Sequence, residues 1–416
     1  MASTTNLSAD ARQYLLITGN YWAFTLTDGA LRMLVVLHFH QLGYSALAIA
    51  MLFVFYELFG VITNLVGGYL GARIGLNRTM QLGLALQVIA LLALTVPSAL
   101  LTVPWVMAAQ ALSGIAKDLN KMSAKSSIKL LLPDNAQGTL YKYVALLTGS
   151  KNALKGVGFF IGALLLGWVG FAGAMQLMAG VLALVGLASM LLLKRDLGKA
   201  KAKPKFSELF SKSRAINQLS AARLCLFAAR DCWFVVALPV FLAEQLGWNH
   251  WQTGTFLACW IIGYGVIQGL APLVTGKAKG RVPDGATAMG WALLLAGVTA
   301  AIAAAVQLEW QLTLAVVGGL LLFGAVFAIN SSLHSYLIVS LARADGVSLD
   351  VGFYYMANAA GRLLGTLLSG YLYQTAGLGA ALWAATALLA TTALISITLP
   401  RRTAPLQPAQ GTLNDD

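Results

Sequence analysis

The 416-residue chain is 58% hydrophobic and only 10% charged, with a mean hydropathy of +0.75. Soluble domains carry about 25% charged residues, so this composition excludes a soluble globular protein and marks an integral membrane one. The formal net charge is +13. Most of its basic residues lie between or inside apolar segments, which argues for membrane orientation and ligand binding and against nucleic acid.

The polar start, MASTTNLSADARQ, lacks a basic region and a cleavage site after a short apolar core. No cleaved signal peptide is expected, and the first span directs insertion. Twelve apolar stretches are long enough to cross about 30 Å of hydrocarbon: 14–41, 46–71, 79–98, 102–127, 139–166, 171–193, 218–244, 251–275, 286–306, 311–341, 348–374 and 379–399. With the N-terminus in the cytoplasm, the outer turns 42–45, 99–101, 167–170, 245–250, 307–310 and 375–378 contain no Lys or Arg. The inner connections carry Arg73, Arg78, the run from Lys194 to Arg214, Lys277, Lys279, Arg281, Arg401 and Arg402. This asymmetry predicts that both termini are cytoplasmic.

The basic segment KRDLGKAKAKPKFSELFSKSR separates six spans from six. It predicts an N-terminal bundle over 1–193, a linker over 194–217, a C-terminal bundle over 218–400 and a tail over 401–416. The linker reads as a solvated positive-inside loop or as a contact with anionic lipid. QLGY at 41–44 and QLGW at 245–248 each follow the first span of their half, 204 residues apart. Such pseudo-repetition predicts an all-α membrane fold of two six-helix halves in a major facilitator arrangement.

Charge inside the spans is the strongest functional signal, because a cation at the centre of a membrane helix costs roughly 2.5–3.5 kcal/mol on insertion scales. Lys117, Lys121, Lys125 and Lys129 recur at i+4 and form one basic stripe, drifting about 40° per step. Lys125 and Lys129 are expected at the cytoplasmic end as orienting charges. Lys151 and Lys155 share a face of the fifth span, with Lys151 about 18 Å above the end near Leu140. Arg32, Arg230 and Arg362 join them by depth, and their planar forks suit phosphate or carboxylate. Asp28 lies one turn before Arg32 and Asp231 adjoins Arg230, so internal pairing competes with ligand binding there. Arg362 has no acid nearby in sequence. Seven deep cations (Arg32, Lys117, Lys121, Lys151, Lys155, Arg230 and Arg362) against four acids (Asp28, Glu57, Asp118 and Asp231) leave a surplus of three, which a multiply charged anion would neutralise.

Asp28 and Glu57 are candidate proton carriers, each with a structural hydrogen-bonding role as the simpler reading. His38, His40 and His334 lack neighbours at metal-ligand spacing and read as packing or polar lining. Cys225 and Cys232 share a helix face, with Cys259 on the next span. A soft metalloid site is conceivable there, and small-residue packing is simpler. Tyr21, Trp22, Phe24, Trp233, Tyr354 and Tyr355 default to core or lipid contact. The sequence contains no phosphate loop, zinc motif or nucleophile elbow. No enzyme activity, resident metal or cofactor is expected.

Residues 68–78, GYLGARIGLNR, resemble the signature loop of major facilitators, with Gly68, Arg73, Gly75 and Arg78 in matching places. Ala72 stands where that family usually has aspartate. Longer runs, NYWAFTLTDGALRM, SGIAKDLNKMSAKSSIK, LLTGSKNALKGVGFF and LGKAKAKPKF, resemble the ArsJ-type organoarsenical efflux permeases of the same superfamily. The resemblance implies a bacterial inner-membrane exporter of 1-arseno-3-phosphoglycerate. It implies arsenate resistance and a functional link, without implied contact, to a companion glyceraldehyde-3-phosphate dehydrogenase that makes the ester. The charge pattern alone equally fits an exchanger of phosphate or phosphorylated metabolites. A membrane anion sensor or lipid-headgroup enzyme is a remoter reading.

Overall fold

A computed structural model of the protein describes residues 9–44, 52–132, 136–193, 197–200, 205, 213–248, 250–275 and 282–401. Most of the linker, the start of the second span, Lys277, Lys279, Arg281, Arg402 and the tail lie outside the described residues, as does the side chain of His40. The helices are α1 (Ala9–Gln41), α2 (Val54–Ile74), α3 (Leu76–Ala93), α4 (Val103–Leu130), α5 (Gln137–Leu192), α6 (Arg214–Phe234), α7 (Ala237–Glu244), α8 (His250–Thr275), α9 (Gly285–Gln307), α10 (Gly319–Leu341) and α11 (Val347–Ser396). Among the described residues there is no strand.

Helix α5 has 56 residues and α11 has 50. A straight helix of 56 residues would extend about 84 Å, far beyond a bilayer. Each instead breaks at one glycine in a left-handed conformation, Gly170 (φ 70°) and Gly377 (φ 76°), and so supplies two spans. The expected turns 167–170 and 375–378 therefore shrink to single residues. Elsewhere the spans begin on recognisable caps. Ser213 accepts a hydrogen bond from the Ile216 N–H (3.3 Å) at the start of α6, and Asp284 and Thr287 form a capping box at α9.

The seventh span is interrupted between α6 and α7. Pro239 cannot donate to residue 235 and its ring crowds that carbonyl. The Ser369 hydroxyl accepts from the N–H groups of Val236 (3.3 Å) and Ala237 (3.1 Å) at the start of α7, so these donors are satisfied by a neighbouring helix rather than left to lipid. A π turn, Leu314–Gly318, leads into α10.

Among the described residues, seven helices are apolar and long enough to cross a membrane by length and composition alone, two of them the broken pair. Helices α1, α2 and α4, which carry Asp28 and Arg32, Glu57 and Asn64, and the lysine stripe, fall outside that set. Counting the broken helices twice and α6–α7 once, the described helices make twelve spans.

Buried apolar residues separate by half. One cluster runs from Phe24 to Leu182 and another from Leu226 to Leu389. The clusters that mix the halves join Tyr14, Ile17, Tyr141 and Leu147 to Tyr336, Val347 and Tyr354, and Ala72 to Leu349. These residues lie at the helix ends nearest the linker, so the halves are packed together on the linker side. There the Ser348 hydroxyl donates to the Gly68 carbonyl (2.8 Å), Lys129 to the Ser340 carbonyl (3.0 Å) and Tyr336 to the Gln137 side chain (3.1 Å).

The linker itself touches the signature loop. The Leu76 N–H donates to the Leu197 carbonyl and the Ala200 N–H to the Ala72 carbonyl, each at 2.8 Å. Ala72 is buried against Leu349. Gly75 (φ 99°) makes the corner, while Arg73, bonded to the Tyr69 hydroxyl (2.8 Å), and Arg78 are exposed.

Candidate functional site

Between the halves lies a cavity of about 350 Å³, within the range of small-molecule sites. All seven cations expected from sequence line it, and so do Lys125 and Arg223. Lys125 is a correction: it is buried in the cavity floor rather than placed as an orienting charge at the membrane edge. The i+4 stripe already held the signal, since Lys125 continues the face of Lys117 and Lys121. Arg223 lies seven residues before Arg230, the spacing that returns a helix to the same face.

The upper tier, away from the linker, is a lattice of ion pairs. Glu57 on α2 accepts from Arg32 on α1 (3.2 Å) and from Arg362 on α11 (3.4 Å). Arg362 also reaches Asp231 (3.2 Å), which the adjacent Arg230 pairs in turn. Arg32 therefore pairs with Glu57 rather than with Asp28 one turn away. Arg362, alone in sequence, joins acids from both halves. Asp28 lies just behind the cavity, where the Tyr56 hydroxyl donates to it (2.6 Å) and Lys155 approaches to 3.7 Å. Lys121 pairs with Asp118 at 2.6 Å.

Four cations have no carboxylate within ion-pair distance among the described residues: Lys117, Lys125, Lys151 and Arg223. Lys117 sits 3.7 Å over the Tyr56 ring. Lys125 donates to the Tyr355 hydroxyl across the half boundary. Arg223 donates to the Asn358 side chain (2.8 Å) and the Ser331 carbonyl (3.2 Å), with its guanidinium 4.0 Å from the Phe227 ring centroid. The charged side chains that act most strongly on Lys151 among the described residues are Lys121, Lys155, Lys125 and Lys117. Asn152, Gln268 and Ser331 form a polar chain beside it (2.6 and 3.0 Å) that also crosses the halves. With Lys125 and Arg223 counted, nine cations meet four acids, a surplus of five at standard ionisation.

Accessibility grades along this axis. Glu57 and Arg362 keep 37% and 36% of their side-chain surface, whereas Lys125 and Arg223 are each only 3% exposed as whole residues. Apolar residues, among them Phe159, Phe234, Val235, Leu257 and Ile261, continue the wall at the upper end. The cavity is thus closed toward the linker and reached from the opposite side.

Of the other residues considered from sequence, only Tyr355 lines the cavity among the six aromatics. Trp22 bonds Ser150 (2.8 Å), and Tyr21, Phe24, Trp233 and Tyr354 are core. His38 stacks on Phe171, and His334 is wholly buried. Cys232 contacts the Ala381 carbonyl, Cys225 is half-buried and Cys259 is exposed. Among the described residues, no three His, Cys, Asp or Glu side chains converge as a metal site.

The chain resembles solved transporters along most of its length. It matches the human organic anion transporter MFSD10 (TETRAN) with a TM-score of 0.70 and 17% identity, covering 93% of this chain and 98% of that one. It matches the Escherichia coli fucose:proton symporter FucP with a TM-score of 0.72 and 12% identity, covering 94% and 98%. It matches a bacterial homologue of the iron transporter ferroportin, in an outward-facing state, with a TM-score of 0.71 and 12% identity over 93% and 98%. At these identities the likeness carries the fold alone. No curated protein matches the sequence. The family model described as Major Facilitator Superfamily matches residues 15–283, well over half of the chain. With twelve spans, a cavity between two halves and that match, the chain belongs to the Major Facilitator Superfamily and is a membrane transporter of the permease type.

Proposed function

We propose that the protein exports a multiply charged organic anion by alternating access, the substrate being 1-arseno-3-phosphoglycerate. The observation that carries the anion reading is the group of four cations without carboxylates, Lys117, Lys125, Lys151 and Arg223, in the cavity between the halves. Buried charge of one sign needs a counter-charge, and among the described residues no carboxylate stands within ion-pair distance of these four. Arg32, Lys121, Lys155, Arg230 and Arg362 complete the site as donors that share their acids with the substrate.

The arsenic ester rests on the likeness to ArsJ-type permeases. Three of the segments that carry the likeness also supply Arg32, the lysine stripe, and Lys151 with Lys155. The ester has a phosphate at one end and an arsenate at the other, which suits cations at several depths. On this reading the dehydrogenase supplies substrate without contact, and the protein lies in a bacterial inner membrane with both termini and the linker cytoplasmic. Residues 1–193 and 218–400 are then the two moving bundles, joined by 194–217 and followed by a tail over 401–416. The conformation described is outward-facing. Glu57 and Asp28, each held by cations, act as internal counter-charges, so proton coupling through them requires breaking those pairs first.

Everted membrane vesicles test the proposal. Arsenic uptake with arsenate, glyceraldehyde 3-phosphate, NAD and the dehydrogenase, and none with arsenate alone, is the expected result. Equal uptake from arsenate alone would make the protein an inorganic oxyanion carrier.

A further inference from the structure

Among its charged groups the cavity wall carries a neutral polar patch. Helices α5 and α8 cross there in close contact: a methyl group on Gly149 would stand 2.4 Å from the Gly265 carbonyl oxygen and from the Gly269 nitrogen. The crossing brings Asn152 of one half within reach of Gln268 of the other. Asn152 Nδ2 donates to Gln268 Oε1 (2.6 Å), and Gln268 Nε2 donates to the Ser331 hydroxyl (3.0 Å). Gln268 is wholly buried, so this chain fixes the Asn152 amide and leaves its Oδ1 as an acceptor. Thr148 lies one turn before Asn152 on the same face of α5. It lines the cavity and is 5% exposed, and its hydroxyl has no hydrogen-bond partner among the described residues.

The patch adjoins two levels of fixed positive charge. The Ser331 carbonyl accepts from Arg223 (3.2 Å), so its lower end borders the floor. Arg230, seven residues later on the same face of α6, stands about 10 Å higher. A guanidinium stays ionised in either setting. Anionic oxygens are therefore served by the arginines, and the amide oxygen of Asn152 repels them. A buried hydroxyl such as that of Thr148 is unfavourable while it lacks a partner. A ligand hydroxyl satisfies both groups, because it gives its proton to Asn152 Oδ1 and accepts from Thr148 Oγ1. The cavity thus fits a molecule with charge at its ends and a hydroxyl between them.

We infer that Thr148 and Asn152 form a subsite for a hydroxyl on the carbon chain of the transported anion, and that it selects hydroxylated organic phosphates over anions without a hydroxyl. The inference rests on the anion-transport reading above and adds the specificity-determining residues to it. Thr148 and Asn152 meet the hydroxyl directly. Gln268 is a positioning residue that holds the Asn152 amide. A mere tie between the halves needs only Asn152 and Gln268, and it leaves the bare Thr148 hydroxyl unaccounted for.

Titration calorimetry on the purified full chain supplies the test, with 3-phosphoglycerate and its 2-deoxy analogue, 3-phosphonooxypropanoate, as probes. The two carry the same charged ends and differ by one hydroxyl. The protein should bind 3-phosphoglycerate at least about tenfold more tightly, a difference typical of polar groups left unpaired by the analogue. Asn152→Ala and Thr148→Val should each bring the two affinities to within about threefold. Both variants should bind the 2-deoxy probe as the natural chain does, which also shows that they are folded. Gln268→Met should narrow the ratio in the same direction, whereas loss of a mere tie between the halves would change both affinities alike. Equal affinity of the natural chain for the two probes would overturn the inference and leave the anion reading standing. A ratio undiminished in both Asn152→Ala and Thr148→Val would overturn it as well. Binding of neither probe would also overturn it, and arsenic uptake by everted vesicles then decides the anion reading separately.

Discussion

Glu57 and Arg362 stand 305 residues apart and meet across the cavity, with each carboxylate oxygen 3.4 Å from a different guanidinium nitrogen. The pair ties α2 of one half to α11 of the other near mid-membrane, above the closed linker side. Any motion that opens the linker side must tilt these helices about this tie or break it.

Charge exchange between the two positions tests the tie. Glu57→Gln or Arg362→Gln alone should slow transport at least tenfold, whereas Glu57→Arg with Arg362→Glu should recover part of the rate. Both side chains are over a third exposed, so the coupling in a double-mutant cycle should be on the order of 1–2 kcal/mol, between exposed and buried pairs. A cycle that sums to zero would show the tie to be dispensable.

Lys151 tests the site from below. It has no carboxylate partner to orphan, so Lys151→Ala removes ligand charge without stranding an acid. Insertion and expression should be unchanged while export falls to background. Normal export by a well-expressed variant would remove Lys151 from the site.

At the linker-side seal, a methyl group on Gly68 would stand 2.5 Å from the Ser348 carbonyl oxygen and 3.1 Å from the Gly352 Cα. Gly68→Ala should therefore disfavour closure there and populate the opposite conformation. Spin labels at Arg78→Cys and Arg401→Cys, exposed on opposite halves, should report a longer linker-side distance in the Gly68→Ala background. An unchanged distance would mean the helices adjust locally.

The linker contact yields a second conformational prediction, independent of Gly68. Ala200→Pro deletes the N–H that donates to the Ala72 carbonyl while leaving the loop sequence intact. If this clamp stands in for the missing aspartate, the same label pair should broaden toward longer distances, and Ala72→Asp should narrow it again. No effect of either change would reduce the linker to a passive tether.

Much of the architecture was legible in the chain. Twelve apolar stretches and the Lys and Arg bias follow from the bilayer as solvent, which acts on each segment separately. The paired QLG motifs predict matching turns, and Gly43 and Gly247 do share left-handed φ values of 84° and 67°. Boundaries failed where helices run on to a single residue, at Gly170 and Gly377, because a one-residue reversal leaves no polar stretch to mark it.

The sequence by itself determined the membrane class, the six-plus-six division and the excess of cations at depth, because hydropathy and charge are local properties counted residue by residue. Only the tertiary structure decided which cations are neutralised. Arg32 passed over Asp28 for Glu57, Arg362 found two acids remote in sequence, and Lys125 with Arg223 came to lie in a shared floor. Pairing depends on distances between helices from different halves. Those distances are set by how the spans pack, not by the order in which they are joined.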